Sequence, residues 1–438
     1  GHPTPDTRHP TTPLSFRANF YYRFMTYLVG KIAVPIPRSL PLWAGIGFVI
    51  FMACWATLTR LPPLPHVTVA FIGNSMMYYN DLPRLMERLA DGHITQDSCL
   101  HGSSSLSTLL VWGNGQYEIW ATGNARFAFD DDAVKFIDDD EVEIGPMYDY
   151  GACTVHQLFF GYDEDLDTRV ANYDSDDEIV KSDDFLSFQD GKNPCLQNYY
   201  YYLYLQDKYA RNGAPHWDFV VINDNTREPS RTEPRASSLK VLESTYLPWL
   251  LEMGSIPIFI STYAYDTPYR DMTGLIDVPS FTSYTYAGYK EYAALLEQNL
   301  PPEQKPRIAK VGWAFLLVWE EQYDLWKRLF HVDYIHASPS GTYLQALVVY
   351  HTIFGRLPPR GIALRADSSS MWDNARRQAP PNHRRGSFPT PEEERYLWDV
   401  ASRICVYNVI PNTLTLYENG ESVDYTPNDD PYRIDDIF

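Results

Sequence analysis

The chain has 438 residues, 45% of them hydrophobic and 21% charged, enough for one large α/β domain with extensions or for two domains. A formal net charge of −20 repels nucleic acid phosphates and argues against a nucleic acid partner. None of the five cysteines forms a Cys-x-x-Cys pair, which argues against structural zinc and thioredoxin-like chemistry.

Residues 1–38 read as a polar, basic arm, with Arg8, Arg17, Arg23, Lys31 and Arg38 set against one acid, Asp6. Residues 39–59, "SLPLWAGIGFVIFMACWATLT", carry no charge and would span roughly 30 Å as a helix, the thickness of a bilayer core. Trp43 and Trp55 stand near its ends, as in an aromatic belt. A transmembrane helix is expected here. The basic arm then keeps the N-terminus in the cytosol and sends the rest to the secretory lumen or the cell exterior. The same arm also suits an inner mitochondrial membrane protein with its domain in the intermembrane space. Residues 60–66 form a short proline-rich linker.

From Val67 strand and helix patterns alternate. "VTVAFIG" is a strand, and "LPRLMERLADG" a helix stopped by Gly92. Residues 113–193 read as a long irregular insertion, with acidic runs at Asp130–Glu143 and Asp174–Asp184. These runs lack calcium-loop spacing and read as solvated loops, so no metal is expected. "YYYYLYLQDKYA" is a helix leading to the buried strand of "WDFVVIND". "ASSLKVLESTYLPWLLEMG" is a helix and "IPIFIST" a strand. "RIAKVGWAFLLVWEE" enters as a strand and continues as a helix. Ser338 caps a helix with Pro339 at its first position and Gly355 at its end. Residues 366–438 read as a C-terminal extension with one well-capped helix, Thr390 and Glu393 forming its capping box. Cys99, Cys153, Cys195 and Cys405 permit two disulfides in any of three pairings in an oxidising compartment, or four buried thiols elsewhere.

The alternation predicts an α/β fold over residues 67–365, a mainly parallel, doubly wound sheet with helices on both faces. In such sheets ligands bind beyond the carboxyl ends of the strands, where Ser75 of "FIGNSMM" stands. A serine nucleophile needs a base and a group that orients the base. In "HVDYIHASPSG", His336 and Asp333 have the spacing for that pair, in a loop before a helix.

With these residues the chain resembles the SGNH (GDSL-like) hydrolases, over roughly residues 66–360. The first block of that family is matched by Gly73-Asn74-Ser75 after a strand, the last by Asp333-Tyr334-Ile335-His336 before a helix. The resemblance implies a three-layer α/β/α sandwich around a flavodoxin-like sheet, and a Ser75–His336–Asp333 triad hydrolysing esters without a metal or cofactor. It also implies an oxyanion hole made by the Ser75 N–H, the Gly102 N–H and an asparagine amide. Gly113 and Gly115 are rivals to Gly102. The usual Gly-x-Asn-Asp block is absent; Asn225 is the first choice for the amide and Asn223 the second. Asn74 stands where aspartate is more usual, a turn-holding position outside the triad. The expected function is a membrane-anchored esterase acting on an acylated glycan or a lipid ester. The alternative is a non-catalytic SGNH-like subunit of a larger membrane complex, with the acidic insertion and tail as docking surface.

Overall fold

The computed structural model describes residues 63–115, 135–137, 141–143, 151–173, 193–197, 199–213, 215–268, 272, 274–361, 388–418 and 421–423. The chain divides after Pro63, and the fold below is that of the second unit, Leu64–Phe438. The expected membrane helix, 39–59, lies outside the described residues. Among the described residues no helix is long and apolar enough to cross a membrane.

Strands β1 (Val67–Gly73), β2 (Ile94–Leu100), β3 (Phe219–Ile222), β4 (Ile256–Ile260) and β5 (Arg307–Ala309) form one sheet in the order β2-β1-β3-β4-β5. Each neighbouring pair is parallel, with Phe71 opposite both Ser98 and Val221. This α/β arrangement is the flavodoxin-like order. Its direction reverses between β1 and β3, and their carboxyl ends flank a crevice there. The inner strands are apolar on both faces, as a sheet covered by helices requires. β2 is an edge strand, and Thr95, Gln96 and Asp97 interrupt its apolar run, so periodicity alone does not mark it. Asp97 is buried there because Lys208 Nζ (2.9 Å) and Tyr209 Oη (3.2 Å) donate to it.

Two helices hold the region behind the site. Every residue of Pro339–Phe354 is buried, which makes it a core helix rather than an amphipathic one. Ser338 caps it by accepting from the Gly341 N–H, and Gly355, at φ +67°, ends it in the left-handed conformation. Helix Pro391–Cys405, from the segment read as an extension, starts in the expected Thr390–Glu393 capping box. It sends Leu397, Val400, Ala401 and Ile404 into the same core. Its fully buried Glu394 accepts from Tyr343 Oη (2.7 Å) and from the Gly361 N–H (3.0 Å).

The described parts of 113–193 are more regular than the sequence suggested. They carry helices Val155–Phe160 and Glu164–Tyr173 and a hairpin, Lys135–Ile137 with Glu141–Glu143. A disulfide joins Cys153 to Cys195, beside a small satellite core with Leu166, Val170, Tyr201 and Leu205. One pairing therefore forms, and Cys99 and Cys405 are free thiols.

Candidate active site

β1 ends at Gly73, where the chain passes so close to β3 that a Cβ would stand 2.8 Å from the Asn223 carbonyl oxygen. Only glycine fits. The chain then turns into one helical turn, Ser75–Tyr78. Asn74 is its N-cap: Oδ1 accepts from the Met76 N–H (3.1 Å), and Nδ2 donates to the Ser104 carbonyl (3.1 Å). The amide thus performs the turn-holding role expected of it. Ser75 is the first helical residue, so its own N–H has no acceptor within the helix.

His336 reaches Ser75 from a loop that the backbone closes on itself. Ser338 N–H donates to Leu329 O (2.8 Å), His331 N–H to His336 O (2.7 Å), and Tyr334 takes φ +64° at the tip. Asp333 sits inside this loop. Its Oδ1 accepts from the Ile335 and His336 N–H groups (3.0 Å each), while Oδ2 lies 2.7 Å from His336 Nδ1. The far ring nitrogen, Nε2, lies 2.8 Å from Ser75 Oγ across a separation of 261 residues. Burial pushes the Asp333 carboxyl up, but the His336 ring and the two backbone N–H groups outweigh it and hold it well below the usual carboxylate range. An ionised Asp333 accepts only, so Nδ1 carries the proton and Nε2 is left to accept from the Ser75 hydroxyl. Ser75, His336 and Asp333 are therefore brought into one hydrogen-bonded line.

The residues that join the two loops were not singled out by sequence. The Tyr79 ring stacks on the His336 ring at 3.7 Å between centroids and 4° between planes, and its hydroxyl bonds Asp333. Burial, then the Asp333 charge, pushes the Tyr79 phenol far up, so it remains a proton donor. Asn80 Nδ2 donates to the Ala337 carbonyl (2.7 Å) and to Thr342 Oγ1 (3.0 Å), tying the serine turn to the start of the Pro339 helix. Asn80 and Asp81 are both left-handed, at φ +54° and +58°. Before that kink, Tyr78 faces Ser75 from the same helical turn and Tyr79, at its end, faces His336. Apart from glycine, asparagine and aspartate adopt the left-handed conformation at least cost, and the Asn-Asp pair is the one local signal of it in the sequence.

The expected oxyanion donors fare unequally. Gly102 is part of the loop after β2, beside the Tyr78 hydroxyl. Asn225 lies against that loop, one of its amide hydrogens donated to the Ser103 carbonyl (3.2 Å). Asn223 is buried with its amide turned to the Asp224 carbonyl (2.9 Å) and Tyr289 Oη (3.5 Å). Neither asparagine is a hydrogen-bond partner of Ser75. Of the rival glycines, Gly113 ends helix Leu106–Trp112, and a Cβ on Gly115 would stand 2.2 Å from the His101 ring. Among the described residues no cluster of three or more His, Cys, Asp or Glu is placed to hold a metal ion.

No family model and no curated protein matches this chain. Among solved structures it is similar to one described provisionally as an SGNH hydrolase from Slackia heliotrinireducens, at 14% identity and a TM-score of 0.34. The overlay covers 66% of this chain and 98% of that one. A TM-score this low leaves fold and site to rest on the geometry above.

Proposed function

We propose that this protein is a membrane-anchored serine ester hydrolase of the SGNH kind. The observation that carries this reading is the line Ser75 Oγ–His336 Nε2 (2.8 Å) and His336 Nδ1–Asp333 Oδ2 (2.7 Å) at the carboxyl end of β1. Ser75 Oγ attacks the ester carbonyl carbon as its proton passes to His336 Nε2, and the carbonyl π pair moves to oxygen. The Ser75 N–H, the Gly102 N–H and the Asn225 amide stabilise that oxyanion, with Asn223 the second choice. Collapse expels the alcohol, which takes the proton from His336. Water then gives a proton to His336, attacks the acyl group, and returns Ser75. Asp333 holds the ring in its tautomer throughout.

The substrate class is an acylated glycan or a lipid ester. The Cys153–Cys195 disulfide supports work in an oxidising compartment, which an exported domain behind a 39–59 anchor would occupy. A fluorophosphonate probe tests the chemistry: it labels the wild-type chain and leaves Ser75→Ala unlabelled. Folded wild-type protein that takes no label and cleaves no short-chain ester would sink the enzyme reading and leave that of a non-catalytic subunit.

A further inference from the structure

The hydroxyl of Tyr78 is in contact with the proposed nucleophile, yet neither the triad nor the three expected oxyanion donors uses it. Ser75 and Tyr78 are three residues apart in a single helical turn, so their side chains share a face, and they hydrogen-bond each other. The direction of that bond follows from proton counting. Ser75 has one hydroxyl proton, and His336 Nε2, 2.8 Å away, accepts it. Ser75 Oγ must then accept from the Tyr78 O–H.

The same phenol oxygen lies 2.8 Å from where a Cβ on Gly102 would be, so the glycine loop and the phenol converge on one spot beside Ser75. Any side chain at 102 would push the hydroxyl away. Tyr78 is 4% exposed, and burial holds its phenol well above the ordinary range. It is thus a neutral donor in a nearly dry position, where a hydrogen bond to developing charge is strongest. Meanwhile the amides of Asn223 and Asn225 have bonds to backbone carbonyls.

We infer that Tyr78 is a catalytic residue of this site, its phenolic O–H donating to the oxyanion of the tetrahedral intermediate. The inference rests on the ester-hydrolase reading above. Before attack the O–H points at Ser75 Oγ. As Oγ bonds the carbonyl carbon and loses its proton to His336 it becomes a weaker acceptor, and the charge appears on the oxygen attached to that same carbon. The two oxygens sit on one carbon, so passing the hydrogen bond from one to the other asks for a turn about the phenolic C–O bond and a small shift. No proton leaves Tyr78, so it needs no reset between turnovers.

The test compares wild type, Ser75→Ala and Tyr78→Phe as full chains on p-nitrophenyl acetate. Loss of a donor of this kind costs about 10²–10³ in kcat. Tyr78→Phe should show that loss with KM changed less than about threefold, because the bond strengthens in the transition state. Fluorinated tyrosine at position 78 keeps the shape and lowers the phenol pKa. Its rate should gain an alkaline limb at lower pH than wild type, which a purely structural role would not produce. Wild-type-like kcat in Tyr78→Phe, a faster rate, or an unshifted limb in the fluorinated protein overturns the inference and leaves the esterase standing. If instead the wild type neither turns over nor takes the fluorophosphonate, the esterase reading fails and the role of Tyr78 falls with it.

Discussion

Two aspartates in two loops of this molecule accept similar sets of hydrogen bonds and end up with opposite acidities. Asp224, just past β3, takes the Leu106 and Asn225 N–H groups on Oδ1 (3.0 and 2.8 Å) and Ser238 Oγ and Tyr292 Oη on Oδ2 (2.6 and 2.9 Å). Asp333 takes two backbone N–H groups of its own loop, the His336 ring and the Tyr79 hydroxyl. Asp224 is fully buried among neutral partners, so burial wins and its carboxyl is raised. The Asp333 side chain is 30% exposed and faces a ring that can carry charge, so its carboxyl is lowered. The number of bonds does not decide the outcome; solvent access and the charge of the partner do. In the proposed reading one aspartate holds a scaffold and the other faces a proton in transit.

The largest expected effects separate those roles. Asp333→Asn should lower kcat by about 10⁴ through the wrong imidazole tautomer, with the unfolding midpoint in urea lowered far less than by loss of Asp224. Asp224→Ala leaves four donors facing a cavity and should destabilise the fold by about 3–5 kcal/mol, while the folded fraction keeps its specific activity. Equal losses of activity and stability in both variants would erase the distinction. Next in size is the Cys153–Cys195 bridge, which closes a loop of 42 residues. Chain entropy puts Cys153→Ser at about 4 kcal/mol, as an upper figure. That loss should be confined to the satellite core and register in its hydrogen exchange, with Ser75 labelling retained in the folded protein.

Legibility in the sequence followed the same division. β1 and β3 were readable because "VTVAF" and "FVVI" are apolar on both faces. β2 was not, because burying Asp97 depends on Lys208 and Tyr209, far along the chain. The helix starts at Ser338 and Thr390 were readable because a cap is local chemistry. Asp333 and His336 were readable as a pair because they stand three positions apart in one loop. Tyr78, Tyr79 and Asn80 were invisible, since 33 tyrosines offer no way to prefer two of them. Tyr79 and Asn80 act on residues about 260 positions away, and Tyr78 acts on Ser75 only once that helical turn is in place.

Tyr79→Phe sharpens the contrast from the Asp333 side. It keeps the ring stacked on His336 and removes only the hydroxyl that bonds Asp333. A hydrogen bond to a charged group contributes about 1.5–3 kcal/mol. Part of that is recovered by water at a half-open carboxylate, so a loss of about 10-fold in kcat is expected. Tyr79 positions rather than reacts, so the acid limb of the pH–rate profile should shift with the rate. A lower rate with an unmoved limb would assign Tyr79 to packing alone.

The smallest effect is the one whose sign is most informative. Asp333 has a lowered carboxyl, so its contribution to stability is complete above the ordinary carboxylate value of about 4 and is lost as pH falls through the folded value. Asp224 has a raised carboxyl, so the folded state holds its proton the more tightly, and its contribution declines as pH rises from about 4 through the folded value. Urea midpoints of the wild type, Asp333→Asn and Asp224→Asn across pH therefore diverge in opposite directions. The wild-type advantage over Asp333→Asn should shrink toward acid, and that over Asp224→Asn toward neutral pH. Solvent screens part of the Asp333 effect, so its slope is the shallower of the two. Two slopes of the same sign would mean that the Asp333 carboxyl is not lowered by folding, and would erase the contrast between the two aspartates.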